Sequence, residues 1–310
     1  MQKQIFSDKK VFIALLARNC KSALEKNIPL WNELLSFFSS DSIIQVIEND
    51  SIDGTKDILA DWSKNNSSVH IYSKDTNEVT IPPTVAGSVY PGGSIYRQLK
   101  MAGFRNMYIQ LMRTKKYDYL IVFDSDLDWF DVQGVITALC DAPDDWGALF
   151  ANGRYYSVLW GKPILHRYYD LFAYLPMEEE YIKCGMSFDE NLTYREMAVF
   201  SDILNSRKYK KIDYIPCVSA FGGIGIYNLK YYNNQEYTSK KNIRSNYFEG
   251  ICEHIAFNLT FAKNKQNYIC TKMIAHYKKV CLLQGLSSSL LNTKMKFFIK
   301  EKILCKVIPN

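Results

Sequence analysis

No apolar run in this sequence is long enough to cross a membrane. The longest, Val11 to Ala17, is far short of the roughly 20 residues a spanning helix needs. Met1 to Lys10 is polar and no small-residue cleavage site follows it, so no secretory signal is expected and the chain is read as cytoplasmic. Cysteine is present but never closely spaced. Cys20, Cys140, Cys184, Cys217, Cys252, Cys270, Cys281 and Cys305 form no CxxC pair, which argues against structural zinc and for reduced thiols. Internal repeats and low-complexity linkers are also lacking, so a single domain is expected. Net positive charge is scarce outside one place. The net charge is +6, and the segment from Leu291 onward contributes most of it through Lys294, Lys296, Lys300, Lys302 and Lys306 against Glu301. The remainder is too nearly neutral for a nucleic-acid binder. What is abundant is apolar material, 47% of positions, which excludes wholesale disorder.

The first half alternates between short apolar runs and helical periodicity. Val11–Ala17, Ile43–Ile47, Val69–Tyr72 and Tyr119–Phe123 read as strands. Ala23–Phe38, a segment opening at Asp53-Gly54-Thr55, and Gln98–Met112 read as helices, with Asp53 or Thr55 as the cap of the second. That rhythm predicts an α/β fold with a mostly parallel sheet covered on both faces. Thr76 to Tyr96 carries three prolines and three glycines and reads as a long flap. The second half mixes short strands, Ala148–Asn152 and Ile224–Tyr227 among them, with helices.

Several segments carry candidate chemistry. Asp124-Ser125-Asp126 follows the most apolar strand directly, at the carboxyl end where open α/β sheets bind ligands. Paired carboxylates facing a cleft call for a divalent cation; the plainer alternative is a solvated turn. Glu48-Asn49, at the end of the second strand, can hydrogen-bond a base or ribose, and the following helix start offers N–H donors to an anion. Arg105 can balance the aspartates or bind a phosphate, if it is not simply a solvated helical arginine. Gly222, Gly223 and Gly225 suggest close backbone approach. Glu253 and His254, at a helix start, are the general-base candidates. His276 is a candidate third metal ligand, although a lone histidine in an apolar stretch is more often structural.

Together these pieces resemble the GT-A-fold, nucleotide-sugar-dependent glycosyltransferases, family 2 above all. That family has a VDDxSxDGT-like turn after its second strand, an ARN-like element before the central strand, and a DxD motif ending that strand. Here Val46-Ile-Glu48-Asn49-Asp50-Ser51-Ile52-Asp53-Gly54-Thr55, Phe104-Arg105-Asn106 and Asp124-Ser125-Asp126 match in the same order. Glu48-Asn49 replaces the usual two aspartates, and Glu253-His254 stands near the family's Glu-Asp, which leaves inverting and retaining outcomes open. The second half is similar to the capsule-associated mannosyltransferases of fungi.

The resemblance implies a GT-A-type, Rossmann-like domain over 1–290, with a nucleotide-sugar half at 11–130, an acceptor half at 131–290 and a basic amphipathic tail at 291–310. It implies sugar transfer to an acceptor hydroxyl in surface polysaccharide or glycolipid synthesis. Mn2+ or Mg2+ would be held by Asp124 and Asp126, with His276. Glu48, Asn49, Asp53, Arg105 and Ser125 would join them in addressing the donor, Glu253 would deprotonate the acceptor, and Trp129 and Trp160 would stack on sugar rings. The partners expected are a nucleotide-sugar donor and a glycan or lipid-linked acceptor, with the tail resting on an anionic membrane surface and no nucleic acid. Two rivals are a haloacid-dehalogenase-type phosphatase with Asp124 as nucleophile, and a non-catalytic sugar- or nucleotide-binding module.

Overall fold

The structure, a computed structural model, describes residues 5–79, 90–159, 162–206, 212–245 and 247–281. Trp160, residues 80–89 of the expected flap and the tail at 291–310 lie outside them. The first four strands are β1 (Val11–Ala17), β2 (Ile43–Glu48), β3 (Val69–Ser73) and β4 (Tyr119–Asp124). They are parallel, in the order β3-β2-β1-β4. Helices α1 (Lys21–Leu35), α2 (Thr55–Asn65) and α3 (Ile95–Met112) make the crossovers.

Strand alternation explains why β1 is apolar without a break. Val11, Ile13 and Leu15 pack into one core with Leu24, Trp31 and Leu34 of α1 and Leu59 and Trp62 of α2. Phe12 and Ala14 pack into the other with Ala102, Tyr108 and Ile109 of α3. A strand buried on both faces has no solvent side on which to place polar residues. Trp31 anchors the first core, its ring centroid 5.9 Å from that of Trp62 and 6.1 Å, in a T-shaped pair, from that of Phe123.

The second half departs from the parallel expectation. It contributes β5 (Trp129–Phe130), α4 (Val132–Cys140), β6 (Trp146–Leu159), β7 (Lys162–Tyr168), β8 (Leu175–Pro176), α5 (Glu178–Lys183), α6 (Tyr194–Leu204), β9 (Tyr214–Ser219), β10 (Ile224–Asn228), α7 (Glu253–Ala262) and β11 (Gln266–Cys281). β10 runs antiparallel between β4 and β6, and β11 is parallel to β6 but antiparallel to β9. The result is one mixed sheet of eleven strands among the described residues, with helices on both faces. None of those helices is long and apolar enough to cross a membrane.

Helix boundaries also shift. α1 begins at Lys21 and ends at Leu35, while α3 begins at Ile95, where the Ser94 hydroxyl accepts from the Arg97 N–H at 3.2 Å. The residue at the start of α2 is Gly54, at φ 88°. A positive φ suits glycine and not the expected Asp53 or Thr55.

A buried polar joint fixes α7 against the sheet. The Asn258 amide donates to Ser219 Oγ at 3.0 Å and to the Ala220 carbonyl at 2.7 Å, and accepts from the Tyr227 hydroxyl at 2.9 Å. Beside it, Gly153 and Gly222 bring two backbones into contact. A Cβ on Gly153 would collide with the Gly222 carbonyl, and Gly222 sits at φ 63°. Gly153→Ala is therefore expected to destabilise by about 1–3 kcal/mol through overpacking. Gly103→Ala, in open space on α3, should instead stabilise by about 0.5–1 kcal/mol. Urea denaturation of the two variants checks both signs.

Candidate active site

The carboxyl ends of β1, β2 and β4 open into a cleft of about 780 Å³. At the end of β2 the loop is organised by carboxylates. Glu48 is 1% exposed and its Oε1 accepts from the Ser51 N–H at 2.9 Å, while the Ser73 hydroxyl donates to Oε2. Asp50, at φ 53°, accepts from the N–H groups of Thr76 and Asn77, both at 2.7 Å. Burial opposes its charge, but the Asn49 amide, the Thr76 hydroxyl and those N–H groups hold its carboxyl well below the usual range. Asn49 lines the cleft, as do Arg18 and Asn19 from the end of β1.

Asp53 does not reach the cleft. Its Oδ1 accepts from the Thr55 N–H at 3.0 Å, closing the turn into α2, and its Oδ2 from the Lys21 N–H at 3.0 Å, tying that turn to the start of α1. Glu48 is likewise absorbed by the loop, and of the expected donor-side pair only Asn49 faces the opening.

At the end of β4 the three expected residues divide their work. The Ser125 hydroxyl donates to the Leu16 carbonyl at 2.5 Å, tying the turn to β1. Asp124 and Asp126 both face the cleft. Burial first, and then the neighbouring charge of Asp126, push the Asp124 carboxyl well above its ordinary range. Two tyrosines meet the pair: Tyr169 Oη lies 3.5 Å from Asp124 Oδ2, and the Tyr277 hydroxyl donates to Asp126 Oδ2 at 3.0 Å. Their rings stack with centroids 3.8 Å apart.

His276 is a correction. It does not line the cleft that Asp124 and Asp126 face, although the next residue, Tyr277, does. The His276 ring lies 5.0 Å from that of Trp129, whose residue it pairs with across β5 and β11. Trp129 is 42% exposed and does not line the cleft. Among the described residues no cluster of three or more His, Cys, Asp or Glu could hold a metal.

Arg105 joins the halves of the site. It is 4% exposed, donates through Nε to Glu253 Oε1 at 3.0 Å, and places Nη2 3.8 Å from Asp124 Oδ1. Its guanidinium lies over the rings of Phe221 and Tyr237, at 5.4 and 5.6 Å. The next residue, Asn106, exchanges hydrogen bonds with the Tyr237 backbone at 2.9 and 2.8 Å, fixing that wall.

Glu253 is the first residue of α7 and is buried, with the Cys252 thiol 3.6 Å from its other oxygen. His254 is stacked on Phe221 at 3.9 Å, and both its ring nitrogens are buried without a hydrogen-bond partner. Burial and the charge of Arg105 hold its pKa well below the ordinary value. The neutral imidazole lines the cleft, held in place by its packing on Phe221.

One acid was missed by sequence reasoning. Asp170 lines the cleft at φ 69°, a left-handed conformation uncommon outside glycine. Burial, then the charge of Glu253, push its carboxyl up to about 7. Tyr169, Tyr277 and Arg18 were missed with it. Nothing in the local sequence distinguishes Tyr169-Asp170; it is the β6–β7 hairpin that delivers them to Asp124.

No protein-family description matches the chain, and no curated protein does. Among solved structures it is similar to a mannosyltransferase from Pyrobaculum calidifontis in complex with GDP-Man and Mn2+, at 9% identity and a TM-score of 0.45, over 86% of this chain and 56% of that one. It is similar to S. aureus TarS 1-349 in complex with UDP-GlcNAc, at 11% identity and a TM-score of 0.43, over 95% and 71% of the two chains. A third is glucosyl-3-phosphoglycerate synthase from Mycobacterium tuberculosis with Mn2+, UDP and phosphoglyceric acid, at 15% identity and a TM-score of 0.30, over 47% and 43%. Likeness at this level is one of general chain path and carries no argument about the residues of the site.

Proposed function

We propose that the chain is a metal-dependent glycosyltransferase that moves a sugar from a nucleotide-sugar donor to an acceptor hydroxyl. The observation that supports this best is the meeting of Asp124 and Asp126 with Arg105 and Glu253 in one cleft, beside Asn49. The aspartates fit Mn2+ or Mg2+, which take hard oxygen ligands and commonly only one or two protein carboxylates, phosphate and water completing the shell. Bound there, the ion would neutralise charge on the departing nucleoside diphosphate.

The chain's own residues do the rest. Asn49 and Arg18, at the ends of β2 and β1, address the nucleoside. Glu48, Asp50 and Asp53 hold the loop that presents Asn49. Ser125 fixes the turn between the aspartates. Arg105 offsets their charge and orients Glu253. Two acids then remain to accept the acceptor's proton: Glu253, engaged by Arg105, and Asp170.

A panel of nucleotide sugars with Mn2+ tests the reading by release of nucleoside diphosphate. Asp126→Ala should lower release by at least roughly 10²-fold, the scale of a lost electrostatic stabiliser. It should also remove the rise in melting temperature that nucleoside diphosphate and Mn2+ produce, with the metal-free melting temperature unchanged. Inorganic phosphate released from simple esters would favour the phosphatase instead, and binding without turnover the non-catalytic module.

The proton acceptor is separable by pH. A base works ionised, so with Asp170 in that role kcat/KM should fall as pH drops through about 7, and Asp170→Asn should remove that limb while lowering kcat by roughly 10²-fold. Should Glu253→Gln do this instead, the role belongs to Glu253.

The basic and apolar composition of 291–310 supports peripheral attachment where a lipid-linked acceptor would lie. Full-length protein should co-sediment with anionic but not neutral vesicles, and truncation at Ser289 should abolish it.

A further inference from the structure

Five aromatic side chains from separate segments converge on the mouth of the cleft. They are Tyr90 before α3, Phe172 in the turn after Asp170, Tyr194 at the start of α6, and Tyr247 and Phe248 from the loop before α7. Tyr90 and Tyr247 lie parallel, 1° between planes and 5.7 Å between centroids. Tyr194 meets Tyr247 at 4.6 Å, and Phe172 stacks on Phe248 at 4.7 Å.

The arrangement is held by the fold. The Gly250 N–H donates to the Gly93 carbonyl at 2.8 Å. A Cβ on Gly93 would meet the Phe248 ring at 2.5 Å, and one on Gly250 the Ile95 Cα at 2.9 Å, so both glycines exist to let the loop approach α3. Arg244 bonds Asp189 at 3.3 Å and Glu196 at 2.5 Å, strapping the same loop to α6. Yet two of the rings so placed stay open, Tyr90 at 46% and Tyr194 at 52% exposed, above the buried Phe248. Apolar faces gathered at a cleft and kept from burial mark a binding surface.

Resting on the glycosyltransferase reading, we propose that Tyr90, Tyr194 and Tyr247, seated on Phe172 and Phe248, form the acceptor subsite and that they take a pyranose ring. Each tyrosine offers a flat apolar face with a hydroxyl at its edge. A pyranose is the matching shape, with one face of C–H groups and a rim of hydroxyls. A polyprenyl chain has no hydroxyls to place against those edges. The platform also starts two residues from Asp170, so a ring seated there lies beside a carboxylate suited to receive a hydroxyl proton.

Saturation-transfer NMR on the full chain tests this, with methyl pyranosides of glucose, galactose, mannose and N-acetylglucosamine as probes and farnesyl phosphate as the lipid control. At least one pyranoside should be saturated, mainly through the C–H groups of one face. Tyr194→Ala combined with Tyr247→Ala should weaken its binding by roughly tenfold or more, and Tyr247→Phe should retain most of it. Binding of nucleoside diphosphate with Mn2+ should be unchanged in every variant, which also reports that they are folded. The proposal is overturned if no pyranoside is saturated while nucleotide still binds, if the double variant binds as well as the parent, or if only farnesyl phosphate responds to the substitutions. Failure of nucleotide to bind the parent protein would overturn the glycosyltransferase reading on which the subsite rests.

Discussion

The guanidinium of Arg105 is the pivot on which the site turns. It is a fixed charge carried into the interior on α3, and it persists there because Glu253 of α7 accepts from it at 3.0 Å and Asp124 of β4 lies 3.8 Å away. Removing either acid would leave a buried charge poorly compensated, a situation that costs several kcal/mol. Buried ion pairs are nonetheless weak sources of net stability, because desolvation consumes most of the attraction. What the arrangement does supply is relative position. Three elements from distant parts of the sequence are tied to a single planar group, so the acid that starts α7 and the acid that ends β4 keep a constant separation.

The place of that pivot follows from strand order. From β1 the chain moves outward to β2 and β3 on one side, then returns to add β4 on the other. The crossovers therefore diverge at β1 and β4, and a crevice opens above their carboxyl ends. Arg18 and Asn49 stand there because they directly follow β1 and β2, and Asp124 because it ends β4. The second half reverses direction at β10 and contributes a wall largely from antiparallel pairs, β6–β7 among them. One half thus presents loops aligned by parallel strands, and the other presents side chains from paired ones.

This division also explains how much could be read from the residues. β1, β2 and β4 stand out because burial on both faces requires unbroken apolar runs, and Asp124-Ser125-Asp126 stands out because it ends the clearest of them. Arg105 and Glu253 carried local signals of their own, though not the contact between them. Asp170, Tyr169 and Tyr277 carried none, since strand pairing brings them to Asp124 and Asp126. His276 illustrates the limit at its smallest scale: it lies on Trp129 while its neighbour Tyr277, one residue along an irregular stretch of β11, reaches Asp126. Asp53 shows the opposite trap, an acid in a functional-looking turn whose two oxygens are consumed by the backbone.

Beneath Tyr169 and Asp170 the chain is backbone against backbone, with Gly153 and Gly222 admitting no side chain between them and the Tyr169 N–H held by the Gly153 carbonyl at 2.8 Å. Such a contact has no rotamers and no volume to trade. The support under Tyr169 and Asp170 behaves as a datum surface, its height set by peptide geometry instead of by a side chain that could be exchanged for a larger or smaller one. Divergence in what the cleft accepts must then be written around its rim, where rings and charged side chains can be replaced without disturbing the level from which the reacting groups are measured.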